Sequence, residues 1–332
     1  MIRAAVLGVG TMGRHHARVY HDMPEVELVG VADNNPELAA LVASRLGCKS
    51  YGNHRELLER ERPEAVSVVV PTQSHLEVAS DALAAGSHVL VEKPIAATID
   101  EATEIVRAAV AAERMLAIGH IERFNPAVME LKRRLDDGQA GRVFQCHARR
   151  LGPFPPRIRD VGVVVDLATH DIDVMRYLTG SRATRVYAET KREINTSNED
   201  MLSGLIRFDS GVLGVLDINW LTPTKIRVLT VTGERGMFRA DYLTQDLFFY
   251  ENAESRNGGW DDLAVLRGVT EGPMVKYSFE KKEPLRQELE SFVATIAGDA
   301  SRIVTGEDGI EALRLALALI RSGQQSQAVE VG

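Results

Sequence analysis

Between residue 3 and about residue 120, short runs that are almost wholly apolar alternate with stretches whose apolar residues recur every three or four positions. The runs at 4–7, 28–32, 65–70, 88–91 and 115–118 predict parallel strands covered on both faces. The stretches at 11–21, 36–46, 74–85 and 99–112 predict the helices between them. Pro36 suits a first helical turn, and Thr98 with Glu101 has the spacing of a capping box. Repeated strand–helix units of this kind predict an α/β, doubly wound parallel sheet with right-handed crossovers.

The period then changes. Residues 123–137 read as a helix, after which alternation of apolar and polar positions takes over. Strands are expected at 144–150, 185–191, 202–208 and 212–220, with Asp209-Ser210-Gly211 as a hairpin turn. A second hairpin, 226–232 with 237–242, turns at Gly233-Glu234-Arg235-Gly236, and helices follow at 284–297 and 307–322. This predicts an α+β domain with a mostly antiparallel open sheet, and a division into residues 1–120 and 121–332. Residues 257–262 read as an exposed loop, and there is no internal repeat.

A length of 332 residues suits two domains rather than one core. The formal charge is 39 − 47 = −8, so no global basic field draws the protein to nucleic acid or an anionic membrane. An anionic substrate would need a local cluster of Arg or Lys. Cys48 and Cys146 belong to no CxxC or Cys/His pattern, which points to reduced thiols, no metal site and a cytoplasmic location. The N-terminal residues lack the features of a secretory leader, and no apolar stretch reaches the length of a membrane span.

Gly8-Val9-Gly10-Thr11-Met12-Gly13 fits GxGxxG, directly after a predicted strand and at the start of a predicted helix. Asp33 follows the last glycine by 33 − 13 = 20 residues. In this context Gly8 permits the tight turn, Gly10 admits a pyrophosphate to the backbone, and Gly13 lets the helix approach the strand. The helix start, with Thr11 and Met12, offers free N–H groups to the phosphates. Asp33 suits a ribose diol and repels a 2′-phosphate, and Asn34 and Asn35 supply no compensating cation, so NAD is expected over NADP.

Further segments carry a family likeness: Pro71-Thr72-Gln73-Ser74-His75, Glu92-Lys93-Pro94, Asp166-Leu167-Ala168-Thr169-His170-Asp171-Ile172-Asp173, and Thr305-Gly306-Glu307-Asp308-Gly309. In this order behind GxGxxG, they make the chain resemble the glucose–fructose oxidoreductase/inositol dehydrogenase/MocA (Gfo/Idh/MocA) family over essentially its whole length. The resemblance implies a Rossmann domain, a C-terminal open sheet and hydride transfer between carbon and nicotinamide. It also implies that Lys93, Asp166 and His170 line the reaction centre. Thr72, His75, Glu92, Lys93 and Pro94 would lie along the cofactor, His75 on the nicotinamide side. The chemistry of these residues agrees. Lys93 ends a parallel strand, at the sheet edge where ligands bind. Asp166 and His170 are four apart, so a helix puts them on one face. A histidine titrating near neutrality can take the alcohol proton while an ammonium stabilises the alkoxide, and the aspartate can orient the base or meet a substrate hydroxyl. His15 and His16 are expected on the surface of the first helix.

Two more segments, Gly119-His120-Ile121-Glu122-Arg123-Phe124-Asn125-Pro126 and Gly152-Pro153-Phe154-Pro155-Pro156-Arg157-Ile158-Arg159-Asp160, resemble the nucleotide-sugar branch of that family. That likeness implies a UDP-sugar such as UDP-N-acetylglucosamine, oxidised at its 3-position. His120, Arg123, Asn125, Arg157 and Arg159 would then join Lys93, Asp166 and His170 in binding it. Arg157 and Arg159, in a proline-stiffened loop, can grip a diphosphate bidentately, with Arg123 adding a third charge. Two alternatives stand beside this reading: a polyol or free-sugar dehydrogenase, and an NAD-sensing regulator on the same scaffold. The strands around 212–220 offer a sheet face through which a homo-oligomer, dimer or tetramer, would form, as in many members of the family.

Overall fold

The computed structural model describes residues 1–155, 161–194, 197–253, 271–299 and 303–331. The chain divides into two compact units, one of Met1–Phe124 with Lys282–Arg314, the other of Asn125–Lys281 with Leu315–Gly332.

The first unit is built on β1 (Ile2–Leu7), β2 (Val26–Ala32), β3 (Lys49–Tyr51), β4 (Ala65–Val68), β5 (His88–Glu92) and β6 (Leu116–Gly119). They lie in the order β3-β2-β1-β4-β5-β6, and every pairing is parallel. The order reverses between β1 and β4, which opens a crevice at the strands' carboxyl ends. Helices α1 (Thr11–Asp22), α2 (Pro36–Leu46), α3 (His54–Glu61), α4 (His75–Ala84) and α5 (Ile99–Ala111) connect them. The caps follow the sequence. Asn35 accepts from the Glu37 and Leu38 amides with Pro36 in the first turn of α2, and Thr98 and Glu101 close the capping box of α5.

Two elements here escape the periodicity. β3 is three residues long, and α3 is mostly polar, burying only Leu57, Leu58 and Glu61. The boundary also differs from the expected 120/121. Helix α8 (Pro284–Ile296) belongs to the first unit, where Leu285, Leu289, Phe292 and Val293 join Ala17, Tyr20 and Met23 in one apolar cluster. Burying side chains of that size is worth about 1.5–3 kcal/mol each, enough to recruit a segment distant in sequence.

In the second unit α6 spans Pro126–Asp136 rather than 123–137. Pro126 biases the residue before it away from helical geometry, so a separate 3₁₀ turn, Ile121–Phe124, precedes it. The sheet comprises β7 (Val143–Pro153), β8 (Ala183–Lys191), β9 (Met201–Phe208), β10 (Leu213–Asn219), β11 (Leu221–Gly233), β12 (Gly236–Asp241), β13 (Asp246–Asn252), β14 (Glu271–Tyr277) and β15 (Val329–Glu330). Among the described residues the order is β14-β13-β12-β11-β7-β10-β9-β8-β15, antiparallel except where β7 pairs with β10. The expected mixed α+β unit is therefore present, with β13, β14 and β15 added to the strands anticipated. Along β9, Leu202, Gly204, Ile206 and Phe208 are buried while Ser203, Leu205 and Arg207 face out. Helix α7 (Thr169–Thr179) belongs to this unit, and α9 (Gly306–Gln325) spans the point where the chain passes from the first unit to the second. The loop expected at 257–262 lies outside the described residues.

Candidate active site

The glycine loop is shaped by close approaches. Gly8 has φ +89°, and a Cβ there would stand 2.5 Å from the Val69 carbonyl oxygen. A Cβ on Gly13 would stand 1.8 Å from the Gly8 carbonyl oxygen, so α1 can begin against this turn only with glycine. Gly10 differs: it is exposed, and a Cβ on it meets no protein atom within 4 Å. The protein itself therefore leaves the space beside position 10 open. Gly10 is also the N-cap of α1, with no side-chain cap and no acidic residue in the first turn. The N–H groups of Thr11, Met12 and their neighbours are left for an anion. Asp33 ties this end together: its Oδ2 accepts from the Val9 amide at 2.8 Å and its Oδ1 from the Asn35 amide at 2.8 Å. A carboxylate has lone pairs to spare for two ribose hydroxyls after both bonds. These residues fit an NAD molecule.

On the other side of the crevice, Lys93 leaves the end of β5, half-buried, between two anchored points. Before it, Glu92 is 8% exposed, and its Oε2 accepts from the Lys93 amide at 3.0 Å. After it, the Pro94 and Ile95 carbonyls accept from His75 Nδ1 at 3.0 and 3.2 Å. His75 Nε2 faces the Val70 carbonyl at 3.0 Å, so both of its ring nitrogens already meet backbone. Burial pushes the His75 pKa down, against the pull of those three carbonyls. His75 thus pins the backbone at Val70 to that at Pro94 and Ile95. Thr72 begins the short 3₁₀ turn, Thr72–Ser74, that leads into α4.

His16 corrects an expectation. It is not on the surface of α1 but 0% exposed, with Nε2 3.1 Å from Glu92 Oε1 and Nδ1 3.1 Å from Ser67 Oγ. Gly13, His16, Ala17 and Tyr20, buried together with Val19, stand at the i, i+3, i+4, i+7 spacing of a core face. That spacing was the signal. His15, by contrast, is exposed as expected.

In the second unit Asp166 sits in a π-helical turn, Val164–Ala168, that runs into α7, where His170 lies in the first turn. Val164, Ala168, Thr169, Asp171 and Ile172 are buried, while Asp166 and His170 are both half-buried, so the two share the more open side. Such π turns recur at functional sites. Two interactions that the sequence did not announce hold this helix. Arg150 of β7 and Asp171 form a buried bidentate pair at 2.5 and 3.2 Å. Glu199 caps the start: its carbonyl accepts from the Val163 amide at 2.9 Å and its Oε1 from the Val164 amide at 3.2 Å.

The expected substrate contacts divide. Asn125 is buried and committed to its own unit, capping α6 through the Ala127 amide and donating to the Tyr242 carbonyl at 3.1 Å. Arg123 pairs with Asp308 at 3.0 Å, which neutralises the charge expected for a diphosphate and explains the acidic residue of the Thr305–Gly309 motif. His120 is buried. Arg157 and Arg159 lie outside the described residues, but the strand leading to them is anchored by Phe154, packed edge-on to Trp220 with centroids 5.6 Å apart.

Among the described residues no helix is long and apolar enough to cross a membrane. Residues 2–120 match the oxidoreductase family with an NAD-binding Rossmann fold, Gfo/Idh/MocA, and residues 128–239 match the C-terminal domain of the same family. The chain is 31% identical over 316 residues, 95% of each protein, to UDP-N-acetylglucosamine 3-dehydrogenase of Acidithiobacillus ferrooxidans. A solved structure of that enzyme superposes with a TM-score of 0.85 at 30% identity, covering 98% of this chain and 99% of the other. Inositol 2-dehydrogenase of Rhizobium meliloti is 25% identical over 342 residues, 99% of each. With its glycine cradle, Asp33 clamp and Glu92-Lys93-Pro94 strand end, the chain belongs to the Gfo/Idh/MocA family and is an NAD-binding oxidoreductase acting on CH–OH donors.

Proposed function

We propose that the protein oxidises a sugar hydroxyl to a ketone, and that its substrate is a nucleotide sugar such as UDP-N-acetylglucosamine, attacked at the 3-position. The observation that carries this reading is the full-length similarity to the Acidithiobacillus enzyme, 31% identity against 25% for the inositol enzyme. NAD, when bound, accepts the hydride that leaves the carbinol carbon as the carbonyl forms. His170 takes the hydroxyl proton, Asp166 orients it, and the Lys93 ammonium stabilises the developing alkoxide. Asp33 sets the preference for NAD, and Thr72, His75, Glu92 and Pro94 shape the cofactor side. Arg157 and Arg159 hold the diphosphate. Arg123, paired with Asp308, is proposed here only as a brace within its own unit.

The chain also self-associates, in this reading, through the outward face of the second sheet, where Tyr187 and Leu205 are paired and exposed. Light scattering that finds a monomer overturns that part.

The test is a panel of UDP-sugars, myo-inositol and free sugars with NAD, followed at the NADH absorbance band. Turnover of UDP-N-acetylglucosamine above all others is expected, and preference for myo-inositol moves the polyol reading to first place. Lys93→Ala and His170→Ala are each expected to lower kcat by about a hundredfold or more, with NAD affinity unchanged. Near-normal turnover in either removes that residue from the mechanism. Absence of turnover on every substrate, with tight NAD binding, would favour a regulator.

A further inference from the structure

Beneath the end of β5 a chain of polar groups runs through the core of the first unit. Tyr20 Oη lies 2.9 Å from Ser67 Oγ, Ser67 Oγ 3.1 Å from His16 Nδ1, and His16 Nε2 3.1 Å from Glu92 Oε1. Glu92 Oε2 then accepts from the Lys93 amide. Tyr20, His16 and Ser67 are all fully buried, where an unsatisfied polar group costs most. One direction of donation satisfies every atom: Tyr20 to Ser67, Ser67 to Nδ1, and the Nε2–H tautomer of His16 to Glu92. Buried Glu288 of α8 adds a negative charge felt by the Tyr20 hydroxyl.

This chain ends on a carboxylate whose pKa burial alone would push up. The hydrogen bond from His16, with the Lys93 ammonium and amide, instead keeps the Glu92 carboxyl below its usual range. Gly119 makes room for it, since a Cβ there would press within 3.1–3.2 Å of the Glu92 Cα and carboxyl atoms. Lys93 is thus fixed on one side by His75, through the carbonyls of Pro94 and Ile95, and on the other by Glu92.

We propose that His16 is a positioning residue for the reaction: it locks Glu92 as an oriented carboxylate, and Glu92 holds Lys93 at the strand end with its ammonium aligned. The proposal rests on the reading of Lys93 as the group that meets the substrate oxygen. His16 itself touches neither substrate nor cofactor. Its effect is transmitted through one carboxylate.

The experiment uses the full-length protein, NAD and the best substrate of the panel, with variants His16→Ala, His16→Gln, Ser67→Ala and Lys93→Ala. NAD affinity, melting temperature, kcat and the pH profile of kcat are measured for each. Losing the outer partner of a functional ligand elsewhere costs about 10–100-fold, and His16→Ala is expected to lower kcat by that much with NAD affinity unchanged. Without its donor, Glu92 takes a proton more readily, so the acid limb of the profile moves to higher pH. His16→Gln, whose amide N–H can reach Glu92, restores most of kcat and the wild-type profile. Ser67→Ala moves the profile the same way by less, and serves in place of His16→Ala if the latter does not fold.

The proposal is overturned by wild-type kcat and profile in His16→Ala or, where that variant does not fold, in Ser67→Ala. It is also overturned by losses in the Ala and Gln variants that track melting temperature alone. An inactive Lys93→Ala beside a fully active His16→Ala removes only this proposal. A fully active Lys93→Ala removes the assigned role of Lys93, and this proposal with it.

Discussion

At Gly13 a side chain would collide with the Gly8 carbonyl five residues away, whereas at Asp171 the helix is held by a guanidinium that arrives from a strand 21 residues earlier. The cofactor loop is shaped mainly by what its own backbone permits, and the helix bearing Asp166 and His170 by partners brought from elsewhere in the fold. Constraints of the first kind show in the residues themselves. Constraints of the second kind are ordinary polar residues until the chain has folded. The difference also sorts failures: damage to the first should be all-or-none, and damage to the second repairable by changing the partner.

The largest effect expected is at Gly13. Gly13→Val places Cβ against backbone that cannot move aside, and should cost about 3 kcal/mol or more, seen as loss of the cooperative melt. Gly10→Val meets no protein atom, so its melt should match wild type while NAD binds about a hundredfold more weakly, or about 2.8 kcal/mol at 1.4 kcal/mol per decade. Equal loss of stability in both would erase the distinction between a packing glycine and a ligand glycine.

Next comes the buried pair. Arg150→Met strands Asp171, 1% exposed, without its cation and should destabilise by about 3–5 kcal/mol in urea titration. Arg150→Met with Asp171→Leu should recover most of that, because the penalty lies in a buried carboxylate that has lost the Arg150 guanidinium. No recovery in the double variant would mean that the pair shapes the helix in a way apolar packing cannot replace.

The legibility of the molecule follows the same line. The doubly wound sheet could be read because buried parallel strands are continuous apolar runs, and GxGxxG with Asp33 because each residue answers a local geometric need. β3 and α3 could not, being too short and too polar for a period to show. Residues 282–314 could not be assigned to the first unit, since periodicity says which face of α8 is apolar but not which core receives it. The internal partners of Asn125 and Arg123 were not legible either, because a cap and a partnered arginine look, in sequence, like free polar groups. Glu199 carries no local signal at all. His16 did carry one, in its spacing from Gly13 and Tyr20, but polarity masked it.

A smaller effect is expected at Asp33, which clamps Val9 and Asn35 and is proposed above to set the choice of cofactor. Asp33→Ser with Asn34→Arg should narrow the preference for NAD over NADP by about 1.5–3 kcal/mol, the range for hydrogen bonds to a charged group. Comparing kcat/KM for the two cofactors measures it, and an unchanged ratio would take cofactor choice away from this position.

The smallest effect tests whether the long-range constraint on the substrate helix is also an electrostatic one. Glu199 caps the turn that carries Asp166, and its carboxylate lies over Gly162, where a Cβ would stand 2.1 Å from Oε1. Burial pushes its pKa up, aided by Asp200, while the Val164 amide and Arg192 pull the other way. An acid whose pKa is higher folded than unfolded keeps its proton in the native state after the unfolded chain has lost it. Stability therefore falls as pH rises from the ordinary glutamate value, about 4.3, to the raised one, and stays reduced above it. Glu199→Gln keeps an oxygen for the Val164 amide and removes the ionisation. It should melt higher than wild type at neutral pH, with the gap closing toward pH ~4, where wild-type Glu199 is protonated in both states. Glu199→Ala loses the cap instead and should be less stable by about 1 kcal/mol even at that acid end. A Gln variant whose advantage is the same at every pH would show that Glu199 holds the helix by its hydrogen bond alone, with no charge to pay for in the folded state.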